Sequence, residues 1–188
     1  MTKTPASLPF TGDAEADALI ARDPLALLIG YELDQQVTVQ KAFSGPLVLS
    51  SRIGGLDAVA IASMDPATLE AAFREKPAIH RFPGTMAARV QDLCRHVAAV
   101  YGGDAGRIWG EARDGADLEK RLLAVPGIGP MKAKSLVAVL ANRFGVRPPG
   151  WEAVMPGYPT LGDVDSPEAL AAYQEKKRAH KAEMKAAG

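Results

Sequence analysis

No stretch of this 188-residue chain alternates apolar and polar residues strongly enough for a strand, whereas apolar residues recur at helical spacing along most of its length. Met86, Val90, Leu93, Val97 and Val100 follow at intervals of four, three, four and three, predicting an amphipathic helix that Gly102-Gly103 terminates. Asp23-Pro24, Asp65-Pro66 and Ser166-Pro167 mark helix starts, each a capping side chain followed by a proline suited to the first turn. Alanine dominates the apolar residues and aromatics make up only 6%, which favours closely packed helices over a β sandwich. The predicted class is all-α.

Residues 13–22 read as a short helix. From 24 to about 43 the pattern predicts a central helix, apolar nearly all round in its first half (Leu25, Leu27, Leu28, Ile29, Leu33). Gly45-Pro46 is expected to break it, with a second short helix running from there to Gly54-Gly55. Further helices are predicted over 56–63, 65–73, 104–111, 118–124 and 130–144, the last with Leu136, Val137 and Leu140 toward the core. Phe82-Pro83-Gly84 reads as a turn, and 145–162 is rich in Pro and Gly without helical period. The organisation expected is an N-terminal helix (1–22), a helical core (23–145), a loop (146–165) and a basic C-terminal helix (166–188). The two terminal helices are expected to form a small lobe, or the last helix to trail along a nucleic acid, with a solvated tail as its end.

The single cysteine, Cys94, excludes an intramolecular disulfide, a four-cysteine zinc site and a four-cysteine iron–sulfur cluster. His80, His96 and His180 are scattered and suggest no metal set. The longest nearly apolar run, 24–30, is far short of the roughly 20 residues a bilayer span needs. Residues 1–10 lack the long apolar region of a signal peptide, so a cytoplasmic, nucleoid-associated monomer without a membrane partner is expected. The formal net charge is zero, yet its distribution is uneven. Residues 13–34 hold Asp13, Glu15, Asp17, Asp23, Glu32 and Asp34 against Arg22. Residues 118–148 hold Lys120, Arg121, Lys132, Lys134, Arg143 and Arg147 against Glu119.

That basic tract surrounds Val125-Pro126-Gly127-Ile128-Gly129, a glycine turn between two predicted helices. Backbone N–H groups opening the second helix are free to meet an anion, and the helix dipole favours it. A DNA phosphate fits there with Lys132 or Lys134 in support, and Ile128 would point inward to pin the hairpin. A bare Gly-x-Gly is equally compatible with a simple turn.

The flanking sequence resembles the helix-hairpin-helix (HhH-GPD) superfamily of base-excision DNA glycosylases, related to endonuclease III and 3-methyladenine DNA glycosylase II. Three blocks in order carry the resemblance: Leu27-Leu28-Ile29-Gly30 through Leu33-Asp34-Gln35-Gln36-Val37-Thr38-Val39, then Phe82-Pro83-Gly84-Thr85-Met86-Ala87-Ala88-Arg89-Val90, then Val125 to Lys134. It implies a helical barrel-type domain with a helix-hairpin-helix, acting on double-stranded DNA. By the same resemblance Gln36, with Gln35 beside it, would enter the minor groove and fill the gap left by a flipped nucleotide. Gly127, Ile128 and Gly129 with Lys132 and Lys134 would hold phosphate, and a monovalent cation would sit at the hairpin. Asp34, Tyr31 and Trp151 would line the base pocket, with Trp109 a further stacking candidate.

The chain departs from the family in its chemistry. The lysine of strand-cleaving members lies two residues after the second hairpin glycine, where this chain has Met131. Lys132 is one position on, about 100° around a helix, and is expected to face elsewhere, so a lyase reaction is not expected. The catalytic aspartate is expected some twenty residues past the hairpin, where the loop carries only Glu152; Asp163 substitutes if the loop is longer. No cysteine follows Cys94, so the family's iron–sulfur cluster is not expected. The resemblance implies a monofunctional N-glycosylase removing a damaged base, an alkylated purine being the best leaving group. The alternatives are a non-catalytic DNA-binding protein that lost the aspartate, and an all-α interaction protein whose hairpin is only a turn.

Overall fold

The computed structural model describes residues 3–188, so Met1 and Thr2 of the 1–22 segment lie outside the described residues. The chain is all-α, with no strand among the described residues. Its helices are α1 (Ala14–Arg22), α2 (Pro24–Leu33), α3 (Val39–Ile53), α4 (Ala58–Ser63), α5 (Pro66–Arg74), α6 (Pro83–Tyr101), α7 (Arg107–Gly110), α8 (Gly115–Leu123), α9 (Pro130–Arg143) and α10 (Pro167–Ala186). Two single 3-10 turns, Trp151–Val154 and Leu161–Asp163, lie between α9 and α10. No helix among the described residues is long and apolar enough to cross a membrane.

The capping signals act as read. Asp23, Asp65 and Ser166 each accept backbone N–H groups of the turn that follows, with proline at the start of each helix. The central helix is α2: every residue from Leu25 to Leu33 is buried, and α1, α3 and α6 surround it. Its approach to α3 depends on two glycines. A β-carbon at Gly30 would overlap the Phe43 ring, and one at Gly45 would overlap Leu33. Phe43 in turn stands edge-on to both Phe10 and Tyr31, with ring centroids 5.2 Å apart in each pair.

Several sequence expectations change. The helix predicted over 24–43 ends at Leu33, because the chain turns at Gln35-Gln36 and Thr38 caps a new helix by accepting the Lys41 N–H. That helix then runs through Gly45-Pro46 instead of breaking there: Pro46 removes one hydrogen bond, but burial of both residues holds the helix on course. Phe82-Pro83-Gly84 is the start of α6 rather than a separate turn, and Val100, on its predicted apolar face, is 55% exposed. The loop 145–162 holds a 3-10 turn and part of another, and the helix predicted over 104–111 shrinks to the four residues of α7. The terminal helices form no paired lobe: α1 packs on α2 and α3, whereas α10 touches the Leu161–Asp163 turn and buries fully only Leu170.

Asp163 is positioned by a local capping box with Thr160 and by packing of Gly162 on α9. Gly162 lies so close to α9 that a β-carbon would overlap Ala138. Thr160, itself buried, accepts the Gly162 N–H, and Asp163 accepts the Thr160 N–H at 2.8 Å. The turn is thereby held against α9 and presents the rest of Asp163 to solvent.

Candidate functional site

Three elements converge at the C-terminal end of α2. The first is the turn from α2 into α3. Gln35 is tied down: its carbonyl accepts from His80 Nε2 at 2.9 Å, and its side-chain oxygen accepts from Arg89. His80 is buried, with Nε2 also 3.1 Å from the Leu33 carbonyl and Nδ1 accepting the Phe82 N–H at 3.0 Å. This places the ring proton on Nε2. Burial keeps the imidazole below its ordinary pKa, hence neutral. Gln36, the next residue, is exposed and left-handed at φ 57°, the one non-glycine with positive φ among the described residues. Such a conformation costs on the order of 1 kcal/mol or more, so the turn is held from outside, by His80 and Arg89, while Gln36 projects. Phe82, 40% exposed under the Arg81 guanidinium, stands beside this turn through its His80 contact; the sequence reading had not singled it out.

The second element is the hairpin between α8 and α9. Gly127 has φ +85°, Ile128 is buried as expected, and no side chain caps α9, whose first internal bond is Ala133 N–H to the Gly129 carbonyl. The amides of Met131 and Lys132 therefore have no helical partner and open beside exposed Gly127 and Gly129. Under Gly127 lies a group that sequence inspection counted only as one acid of a block. The Glu32 carboxylate is buried, neither oxygen has a hydrogen-bond partner, and a β-carbon on Gly127 would fall within it.

Burial raises the Glu32 pKa above 4.5, against the attraction of Lys132 and Arg89. The sign of its effect on stability follows. A raised pKa means folding favours the neutral acid, so stability is complete at low pH and is lost as pH climbs from the ordinary carboxylate range through the folded value. In Glu32→Gln this loss is absent. The difference in melting temperature between variant and wild type therefore moves in the variant's favour as pH rises, by about 2–4 °C per kcal/mol in a chain of this size. A difference that is flat across pH would mean Glu32 is not buried as charge.

The third element is the Leu161–Asp163 turn, which packs on α9 and touches α10. Lys132 is half-buried, its ammonium 3.4 Å from the Glu32 carbonyl, and it feels the Glu32 and Asp34 carboxylates. Met131 is 74% exposed. This corrects the expectation that Lys132 faces away: at the first turn of α9 it is Lys132 that the hairpin turns toward α2. Burial lowers its pKa. Asp34 is half-buried, and burial raises its carboxyl pKa, against the attraction of Lys177 and Lys132. Tyr173 of α10 closes the group. Burial raises its hydroxyl pKa, as do Asp34 and Asp163. Lys177 stands 5.9 Å over its ring. Asp34, Lys132, Asp163, Tyr173 and Lys177 thus share one electrostatic neighbourhood. Tyr173 was missed in the sequence; its signal was a place three residues after Leu170, on the same face of the last helix.

Other sequence candidates stand elsewhere. Tyr31 is 1% exposed, with its hydroxyl 2.8 Å from Ser135 Oγ, so it packs the core between α2 and α9 instead of lining an open pocket. Trp151 and exposed Glu152 lie on the 3-10 turn that packs against α8, with the Arg147 guanidinium 5.0 Å over the Trp151 ring. Trp109 is partly buried against the core. Lys134 lies about 200° from Lys132 around α9. Its ammonium is held by Glu119 at 2.8 Å and the Val154 carbonyl at 3.0 Å, which makes it a brace between α8, α9 and the turn rather than a free cation at the hairpin. The orphaned Glu32 carboxylate does fit the monovalent cation expected at the hairpin, since it is an unpaired acceptor directly beneath the turn.

No family model, curated protein or solved structure matches the chain.

Proposed function

We propose that this protein removes a damaged base from duplex DNA as an N-glycosylase, with Asp163 as the carboxylate that stabilises the sugar as the glycosidic bond breaks. The observation that carries the reading is a projecting, left-handed Gln36 beside an uncapped helix start, with half-buried Asp34 and Lys132 at the same end of α2 and Asp163 on a turn that touches α10. A phosphate would be held by the open amides at the hairpin, with Glu32 and the turn holding a monovalent cation that adds positive charge there. Gln36, helped by Phe82, would fill the space of an extruded nucleotide, and a damaged base costs less to extrude than a paired one.

In the reaction, the C1′–N bond breaks with its electron pair leaving on the base. Charge develops on the sugar, which a carboxylate about 3 Å away stabilises, and water then attacks C1′ to leave an abasic site. Asp34, Asp163 and the Tyr173 ring suit a base that is already cationic, as an alkylated purine is, and such a base needs no proton to leave. Lys132 supports a second reading. Its half-buried amine, once deprotonated, would attack C1′ as the base leaves with the C1′–N electron pair; ring opening then gives an iminium, and loss of the C2′ proton expels the 3′-phosphate and breaks the strand.

The test is incubation of the purified chain with duplexes carrying one alkylated purine, uracil or oxidised guanine. The expected result is strand breakage at the alkylated site only after hot alkali. Breakage without alkali, with a borohydride-trapped adduct lost in Lys132→Ala, would establish the lyase reading instead. Salt-sensitive binding without breakage on any duplex would reduce the protein to a DNA-binding module. Absence of both binding and breakage would leave the hairpin as a turn in an all-α interaction protein.

A further inference from the structure

We infer that the part of α10 beyond Gln174 is a second contact for duplex DNA, a basic helix that grips the phosphate backbone flanking the extruded base; the inference rests on the reading above. Every residue from Glu175 onward is exposed. The helix there receives nothing from the body of the protein, and a dozen residues of isolated helix are marginal on their own. Its charge is distinctive. From Glu175 to Gly188 there are five lysines and arginines against two glutamates, a net charge of +3, so the preceding residues carry −3 in a chain of zero net charge. An acidic body approaching a polyanion needs its cations gathered where the contact is made.

Four of the five are gathered on one face, Lys176 lying outside it. At 100° per residue, Lys181, Lys185 and Arg178 lie 40°, 80° and 100° around from Lys177, while Glu183 lies on the opposite side. The same arc, carried back toward the body, contains Leu170 and Gln174. Gln174 exchanges side-chain hydrogen bonds with Gln40 at 3.0 and 2.7 Å, four residues beyond the projecting Gln36. The basic face is therefore the continuation of the face that docks beside the Gln36 turn. From Gln174 to Ala186 the axis advances about 18 Å, or about five base-pair steps.

The remainder of the segment argues against an anionic membrane as the partner. Away from the basic arc it offers only alanines among its apolar residues, and its single large one, Met184, lies about 20° from Lys177 at the arc's edge, with none of the aromatic or leucine anchors of an interfacial helix.

The test compares the full-length protein with R178Q/K181Q/K185Q, all three residues being remote from Asp34, on an undamaged 30-base-pair duplex across a potassium chloride series. The expected result is a log–log salt slope shallower by about two to three in the variant, from about 0.9 per phosphate contact, with affinity weakened about tenfold or more at low salt. A hydroxyl-radical footprint should retract by about five base pairs on one side only. Unchanged helicity by circular dichroism would assign these losses to charge. Identical slopes and footprints in the two proteins would overturn the inference, as would stripe-dependent binding to phosphatidylglycerol vesicles with none to duplex. The two failures separate. Base release by the wild type with no slope change removes only the α10 contact, whereas no release and no duplex binding removes the proposed function as well.

Discussion

Asp163→Asn is expected to lower the single-turnover rate of base release by about 10²–10³-fold or more while binding to the same duplex changes little. The size follows from what is lost, a full negative charge facing the developing positive charge of the sugar once bound DNA covers the exposed Asp163. The substitution is conservative in structure. The Asp163 oxygen that accepts the Thr160 N–H has a counterpart in the asparagine carbonyl, so the turn against α9 keeps its cap. Glu152→Gln is the matched control: that carboxylate is exposed on the turn packed against α8, and its removal should leave the rate unaltered. Full activity in Asp163→Asn, or its loss in Glu152→Gln, would assign the chemistry to a different acid.

Gly127→Ala should be strongly destabilising for two separable reasons. Its backbone at φ +85° costs an alanine about 1–2 kcal/mol. The added carbon would also fall within the buried Glu32 carboxylate, which would have to shift to make room. A total of roughly 3 kcal/mol or more follows, or about 6–12 °C in melting temperature. The effect should be non-additive with Glu32→Ala. Removing the carboxylate erases the overlap but not the backbone cost, so the double variant should be less destabilised than the sum of the singles. Gly129→Ala tests the specificity of the argument. At φ −82° with no atom near its missing β-carbon, this second glycine should tolerate alanine to within about 0.5 kcal/mol. Equal losses at the two positions would refute the account of Glu32.

The contrast between those two glycines marks the limit of what linear sequence conveys. Gly127 and Gly129 are interchangeable as letters, and both announce a turn. Only the fold slides a carboxylate from α2, ninety-five residues earlier, under one of them. The same holds for the paired glutamines. Residues 35 and 36 look alike, yet His80 and Arg89 secure the first from another part of the chain and leave the second to project. Tyr31, expected at the pocket, lies in the core, while Tyr173, for which no role was expected, stands near Asp34, for a related reason. Aromatic identity says nothing of burial, and α2 lies at the centre of the core while α10 lies at its edge.

What the sequence determined by itself is what local physics dictates. Apolar spacing made the chain all-α, Asp–Pro and Ser–Pro pairs set the starts of α2, α5 and α10, and Gly102 stopped α6, because caps and left-handed residues act within one turn of the backbone. The hairpin, with Ile128 inward, belongs to the same class. Tertiary structure decided the rest. It carried α3 through Pro46, turned Lys132 inward and Met131 outward, made Lys134 a brace for Glu119, and set Asp163 on a turn against α9 and α10 while Glu152 went to α8. Each of these depends on which surface a helix finds opposite it. That is set by close packing between residues far apart in the chain, where the presence or absence of a single β-carbon, as at Gly30, Gly45, Gly127 and Gly162, decides how near two elements come.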